Sequence, residues 1–323
     1  MFLPGSKKIN LTGARRQRGV AIITALLIVT IATTVSITIS TRLQLDVRRT
    51  GNLIAQDQAL FYLLAAEEWS QRILQQDKKD STSDSLDEDW AIELPPIPVD
   101  GGSIQGRLTD LHACLNINSL VAGNAVDSIT NARLTQLFNN MGVSGNQTQA
   151  IADWIDSDLE TTNPNGAEDG YYLNLDTPYR TANSQFYSVS ELRLVKGFED
   201  GEAYELVEPH LCAFIAEGGN LAINVNTASA EVLQSLSAEM TESLVDEIIE
   251  RRNEEPFYEL KDFTSFAKLG TIIKDTEKLA TSSDYFLLRT QAIIGQANKV
   301  MYSVIYRDEN GETTVISRTQ RTL

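Results

Sequence analysis

Arg15-Arg16-Gln17-Arg18-Gly19 runs directly into Val20-Ala21-Ile22-Ile23-Thr24-Ala25-Leu26-Leu27-Ile28-Val29-Thr30-Ile31-Ala32-Thr33-Thr34-Val35-Ser36-Ile37-Thr38-Ile39-Ser40-Thr41, and no charge falls between Gly19 and Arg42. Those 23 uncharged residues, wound as a helix rising about 1.5 Å per residue, cover a hydrocarbon core of roughly 30 Å. Lys7, Lys8, Arg15, Arg16 and Arg18 give residues 1–19 a charge of +5, while the remaining 304 residues hold 22 basic and 44 acidic groups. A basic flank ahead of an apolar span and an acidic body behind it puts the N-terminus in the cytoplasm and the body outside. The run is longer than a signal-peptide core and no small-x-small cleavage site follows it. An uncleaved anchor, or a leader removed on the cytoplasmic side, is therefore expected.

The apolar spacing persists past Arg42. Leu43, Leu45 and Val47, then Ala55, Ala59, Leu60, Leu63, Leu64 and Trp69, recur at steps of three and four with one Gly and no Pro, the period of an amphipathic helix. The pattern predicts one helix over 20–75, membrane-spanning over 20–41 and packed on a domain beyond. Residues 77–89 are rich in Ser and Asp, and Pro95-Pro96-Ile97-Pro98 follows, which excludes helix interior. Residues 76–111 thus read as a solvated variable loop and then a first strand, where Ile104, Gly106 and Leu108 alternate. Within 281–323, three β-rich runs at 285–294, 299–307 and 313–321 read as further strands of an antiparallel sheet.

The middle, 112–280, is helical in texture and repeats itself. Leu115-Asn116-Ile117-Asn118-Ser119 recurs as Ile223-Asn224-Val225-Asn226-Thr227, and Phe186-Tyr187-Ser188-Val189-Ser190-Glu191-Leu192 as Phe257-Tyr258-Glu259-Leu260-Lys261-Asp262-Phe263. Two copies of one supersecondary unit account for this. The second copy resembles the helix-hairpin-helix module of DNA-binding competence proteins. That module meets phosphate with backbone N–H groups of a glycine-rich hairpin, whereas Ser237-Ala238-Glu239-Met240-Thr241-Glu242 is acidic and without Gly. With a net charge of -17, nucleic acid is excluded as a partner. Enzymatic readings fare no better. There is no Gly-x-Ser-x-Gly and no phosphate loop, and both histidines sit beside cysteines, so no nucleophilic triad assembles.

The first copy is lengthened by residues 153–172, which hold six acids, two Asn and two Gly. Hard oxygen donors with tight turns to bring them together suit calcium, and without a cation such a loop repels itself. The spacing is not that of an EF-hand. Cys114 and Cys212 are the two cysteines, set in His112-Ala113-Cys114 and His210-Leu211-Cys212. In an oxidising compartment they read as a disulfide; the alternative is a Cys₂His₂ zinc site.

The leader Arg15-Arg16-Gln17-Arg18-Gly19 ahead of an apolar helix resembles that of type IV pilin-like proteins. The resemblance implies cleavage by a prepilin peptidase between Gly19 and Val20, and N-methylation of Val20. Most such proteins carry Glu five residues after the cut, and here Thr24 stands there. With the acidic insertion and the closing strands, this resembles the minor pseudopilin K family of type II secretion. That family implies an α+β, pilin-like fold: a long N-terminal helix packed on an antiparallel sheet, with a large helical domain of two helix-hairpin-helix-like repeats inserted into the sheet. It implies no catalytic residue, and a place at the tip of a periplasmic pseudopilus, anchored in the inner membrane before assembly. The partners implied are minor pseudopilins I, J and H, the major pseudopilin G and the peptidase. Family members with a similar acidic segment are expected to bind Ca²⁺, and Asp156, Asp158, Asn163, Asn165, Glu168 and Asp169 are the expected ligand shell.

Overall fold

The computed structural model describes residues 18–93, 95–216 and 221–320. Residues 1–17, most of the expected leader, lie outside the described residues, while Gly19 and Val20 fall in the first turn of helix α1 (Arg18–Asp80). The chain forms two compact units, one ending at Ala55 and the other beginning at Gln56. In the first, the large apolar side chains from Val20 to Ile39 stand more than half exposed, which fits a single-pass membrane anchor. Most of its hydroxyls are satisfied inside the helix. Thr30, Thr33, Thr34, Ser36, Thr38 and Thr41 each donate to the carbonyl four residues back, at 2.7–2.9 Å. Thr24 donates to the carbonyls of Val20 and Ala21, both at 3.1 Å. Hydroxyls bonded to their own helix in this way suit an apolar surrounding.

In the second unit, α1 buries Ala59, Leu63, Ala66 and Leu74, one stripe at helical spacing. They meet a five-stranded antiparallel sheet of β1 (Ile97–Val99), β2 (Gly102–Asp110), β3 (Tyr285–Ile294), β4 (Ala297–Arg307) and β5 (Thr313–Thr319), paired in that order. Buried Glu67 on α1 is held by Arg318 of β5 through three contacts of 2.8–3.1 Å and by the Ser303 hydroxyl at 2.5 Å. The helix continues five residues past the expected 75, because its end is tied to the sheet. Gln75 donates to Thr313 at 2.8 Å, and Asp77 takes the Arg307 guanidinium at 2.7 Å.

The next segment departs further from expectation. Ser83, Asp84 and Ser85 are buried, not solvated. Arg307, 1% exposed, holds Asp84 through both carboxylate oxygens at 2.5 and 2.6 Å and the carbonyls of Ser283 and Leu74 at 2.9 and 3.2 Å. Asp84 in turn accepts the Ser283 N–H at 2.7 Å.

Everything between β2 and β3 leaves the sheet at Asp110 and returns at Tyr285. Asp110 faces Phe286 in the register, and the Leu111 N–H reaches the Tyr285 carbonyl at 3.0 Å. Fully buried Asp110 gathers four donors across this junction: the N–H of His112 (2.7 Å), the hydroxyls of Ser283 (2.7 Å) and Thr227 (2.5 Å), and the Asn224 amide (3.1 Å). The helical body has its own core, in which Leu134, Phe138, Trp154, Tyr172, Phe186, Val232, Ile248 and Phe257 are buried.

One bonding pattern occurs twice in this body. Asn118 grips the backbone of Phe186, donating to its carbonyl at 2.9 Å and accepting its N–H at 2.8 Å. Asn226 does the same to Phe257 at 3.0 and 2.9 Å. Each motif sits on a short parallel bridge, 115–116 with 211–212 and 223–224 with 279–280. Helices α2 (Ser128–Asn140) and α3 (Gln147–Ile155) open the first half; Ala230–Gln234 and Glu242–Glu254 open the second. Asp127, Ser229 and Thr241 cap three of them by accepting backbone N–H groups, the expected use of short polar side chains.

Candidate functional site

The acidic insertion begins where α3 ends. Asp153, the residue before Trp154 in that helix, is fully buried and accepts the Thr162 N–H through both carboxylate oxygens at 3.0 and 3.2 Å. This folds the loop back against the helix. Gly166 completes the closure. A Cβ there would lie 2.2 Å from the Asp153 carboxylate and 2.4 Å from the Thr162 carbonyl, so no larger residue fits. The Gly166 carbonyl accepts from Lys196 Nζ at 3.2 Å, and the Asn165 N–H donates to Gln149 at 2.9 Å.

The folded loop brings Asp156, Asp158 and Glu168 together, each offering a carboxylate oxygen within 4.8 Å of the others. Asp156 is 7% exposed and Glu168 4%. Asp156 Oδ1 and both Glu168 oxygens are buried without a hydrogen-bond partner, as are Thr181 Oγ1 and Asn183 Oδ1. Burial, followed by the repulsion of neighbouring carboxylates, pushes Asp156 up to about 6 and Glu168 to about 7. Three close carboxylates with unpartnered oxygens fit a hard cation that takes many oxygen ligands. Arg180 pairs instead with Asp169, at 2.5 Å.

That pairing sets Asp169 apart from the three clustered carboxylates. Asp169 starts a single helical turn, accepts the Thr181 N–H at 3.1 Å and is neutralised by Arg180. Asn163 is exposed and donates to the Thr161 carbonyl at 3.4 Å. Among the described residues no hydrogen bond joins Asn163 or Asn165 to the three carboxylates. Asn183 was not among the expected ligands. Its side chain donates to the Asp158 carbonyl at 3.0 Å, and its φ of 46° is one that Asn tolerates better than most residues. The only sequence signal was an Asn eleven residues past the acidic run, which on its own says little.

In a second acidic cluster, Asp77, Asp84 and Glu88, Arg307 pairs with Asp77 and Asp84, while Glu88 accepts from the Ser85 N–H and Trp90 Nε1. Cys114 and Cys212 are bonded to one another, with Sγ atoms 2.25 Å apart and Cα atoms 5.8 Å apart. His112 Nδ1 lies 2.8 Å from the Ala222 carbonyl and His210 Nδ1 3.2 Å from Ser229 Oγ, so the zinc alternative has neither free sulfur nor converging rings. The bridge ties the start of the helical body to its midpoint across 98 residues. Replacing both cysteines by Ser is expected to cost about 2–5 kcal/mol, read as a lower denaturation midpoint. An unchanged midpoint would show that the bridge constrains nothing.

A family profile described as "Type II secretion system (T2SS), protein K" matches residues 113–216 and 223–282. The type II secretion system protein K of Aeromonas hydrophila is 33% identical over 94% of this chain and 97% of its own length. That of Pseudomonas aeruginosa is 31% identical over 94% and 93%. The fold matches a chain in the crystal structure of the GspK-GspI-GspJ complex of the enterotoxigenic Escherichia coli type 2 secretion system, with a TM-score of 0.73 and 24% identity, over 85% of this chain and all of that one. With a long apolar-headed helix on an antiparallel sheet, an attached helical body and relatives that span it from end to end, this chain belongs to the type II secretion system protein K family and is a minor pseudopilin.

Proposed function

We propose that this protein caps the tip of a periplasmic pseudopilus, joining minor pseudopilins I and J there and meeting H and the major pseudopilin G below. The observation that carries this is Thr24. Its hydroxyl is consumed by the Val20 and Ala21 carbonyls of its own helix, so the helix offers a subunit above it no carboxylate to pair with in lipid. The helical body adds bulk where β2 leaves the sheet and β3 returns to it. Assembly with I and J is supported by the matching chain's occurrence in a complex with those two proteins. The role is structural, not enzymatic.

On this reading the chain begins as a single-pass inner-membrane protein. Mass spectrometry of the mature protein is expected to show N-methylated Val20 at its start only in cells holding the prepilin peptidase. Gold-labelled protein is expected at one end of isolated pseudopili. An intact leader would remove the pilin-type processing, and label along the whole fibre would remove the tip position. Residues Asp156, Asp158 and Glu168, with Asn183 and Thr181 beside them, would hold Ca²⁺. The ion would supply the positive charge that these three carboxylates otherwise lack, fixing the first half of the helical body.

A further inference from the structure

The end of α1 and the loop after it carry a surface that the fold leaves uncovered. Trp69 is 46% exposed and Ile92 51%; with half-buried Ile73 they floor an open groove of about 700 Å³. Its rim is acidic. Asp80, Asp87 and Asp89 are exposed around it. The one cation in the lining among the described residues, Arg72, is paired with Glu68 at 3.2 Å. A solvated aromatic and a branched aliphatic side chain inside a ring of like charge are costly to leave bare and are typical anchors of a contact. The excess negative charge selects the opposite sign in whatever covers them.

We propose that this groove docks an amphipathic segment of a neighbouring pseudopilin, with an apolar side chain against Trp69 and Ile92 and flanking Lys or Arg facing Asp80, Asp87 and Asp89. The inference rests on the assembly reading above and adds to it the chemistry of the contact. Trp69 supplies the buried area, and the aspartates supply register and salt-sensitive attraction. Asp80 is held toward its own helix by Gln76 at 2.8 Å and Asp87 by Ser85 at 2.5 Å, so both carboxylates are ordered before a partner arrives.

The test uses the full-length chain co-expressed with pseudopilins I and J. Trp69→Ala, and separately Asp87→Lys with Asp89→Lys, are each expected to weaken complex formation on the order of 30-fold, the effect of losing an interface anchor. The aspartate variant should also lose most of the wild-type salt dependence. All three positions are exposed, so unchanged melting temperatures would show that the variants fold. A photoreactive benzophenone residue at position 92 is expected to crosslink a peptide whose apolar residue is flanked by Lys or Arg. Crosslinking to lipid or to an acidic segment would overturn the proposal, as would wild-type affinity in both variants while the wild-type complex forms. Failure of the wild-type chain to join I and J at all would overturn the assembly reading and this contact with it.

Discussion

Arg307→Ala is expected to destabilise the soluble body by about 3–5 kcal/mol, the usual cost of removing one partner from a buried ion pair. The side chain is 1% exposed and its removal strands Asp84, itself 1% exposed, with no cation within the cluster. Asp77 on α1 loses its guanidinium as well. Arg307→Lys keeps the charge but not the fork that reaches both oxygens of Asp84, so it should fall between Ala and wild type. Asp84→Asn should cost less than Arg307→Ala, since the Arg307 charge keeps Asp77. Equilibrium denaturation of a fragment beginning at Asp46 would measure all three. A loss below about 1 kcal/mol for Arg307→Ala would mean that water enters the cluster and the junction is looser than the geometry implies.

The second large effect concerns calcium. At a free concentration 100 times its dissociation constant, a bound ion adds about 2.7 kcal/mol. Chelator is therefore expected to lower the melting temperature, and Asp156→Ala with Asp158→Ala should abolish the difference. The pH dependence carries a sign. Glu168 and Asp156 rise from ordinary carboxylate values to about 7 and about 6 when folded without an ion. Groups with raised pKa favour the folded state at low pH, fully below about 4, and that contribution is lost as pH climbs through 6 to 7. In chelator, their contribution should thus fall between about pH 4 and 7. With calcium it should grow over the same range, because protons no longer compete for the oxygens. A melt insensitive to calcium at every pH would remove the metal from the proposal.

Much of this was legible from local pattern. The apolar run after Gly19 and the three- and four-residue spacing from Ala55 to Trp69 report a helix because hydropathy and periodicity act over neighbouring residues. Asp156, Asp158 and Glu168 were legible as a density of hard oxygens. What failed to show were pairings across distance. Ser83-Asp84-Ser85 looks like a solvated turn, and only Arg307, 223 residues on, makes it interior. Asp169 looks like its acidic neighbours until Arg180 folds onto it. Asn183 carries no charge to mark it. Composition reports what a segment can do alone, and these residues act only once the chain has brought a partner to them.

The junction at Asp110 and Tyr285 has a consequence for descent. Because the exit and return strands face each other in register, the whole helical body occupies the position of a hairpin turn. A short ancestral subunit could accept such an accretion, enlarge it or exchange it with adjustment at Asp110 and its four donors, at Asn224 against the Asp84 carbonyl and where Cys212 and Phe214 pack on Tyr285 and Val304. Size at this corner is then a trait that selection can vary separately from α1 and its sheet.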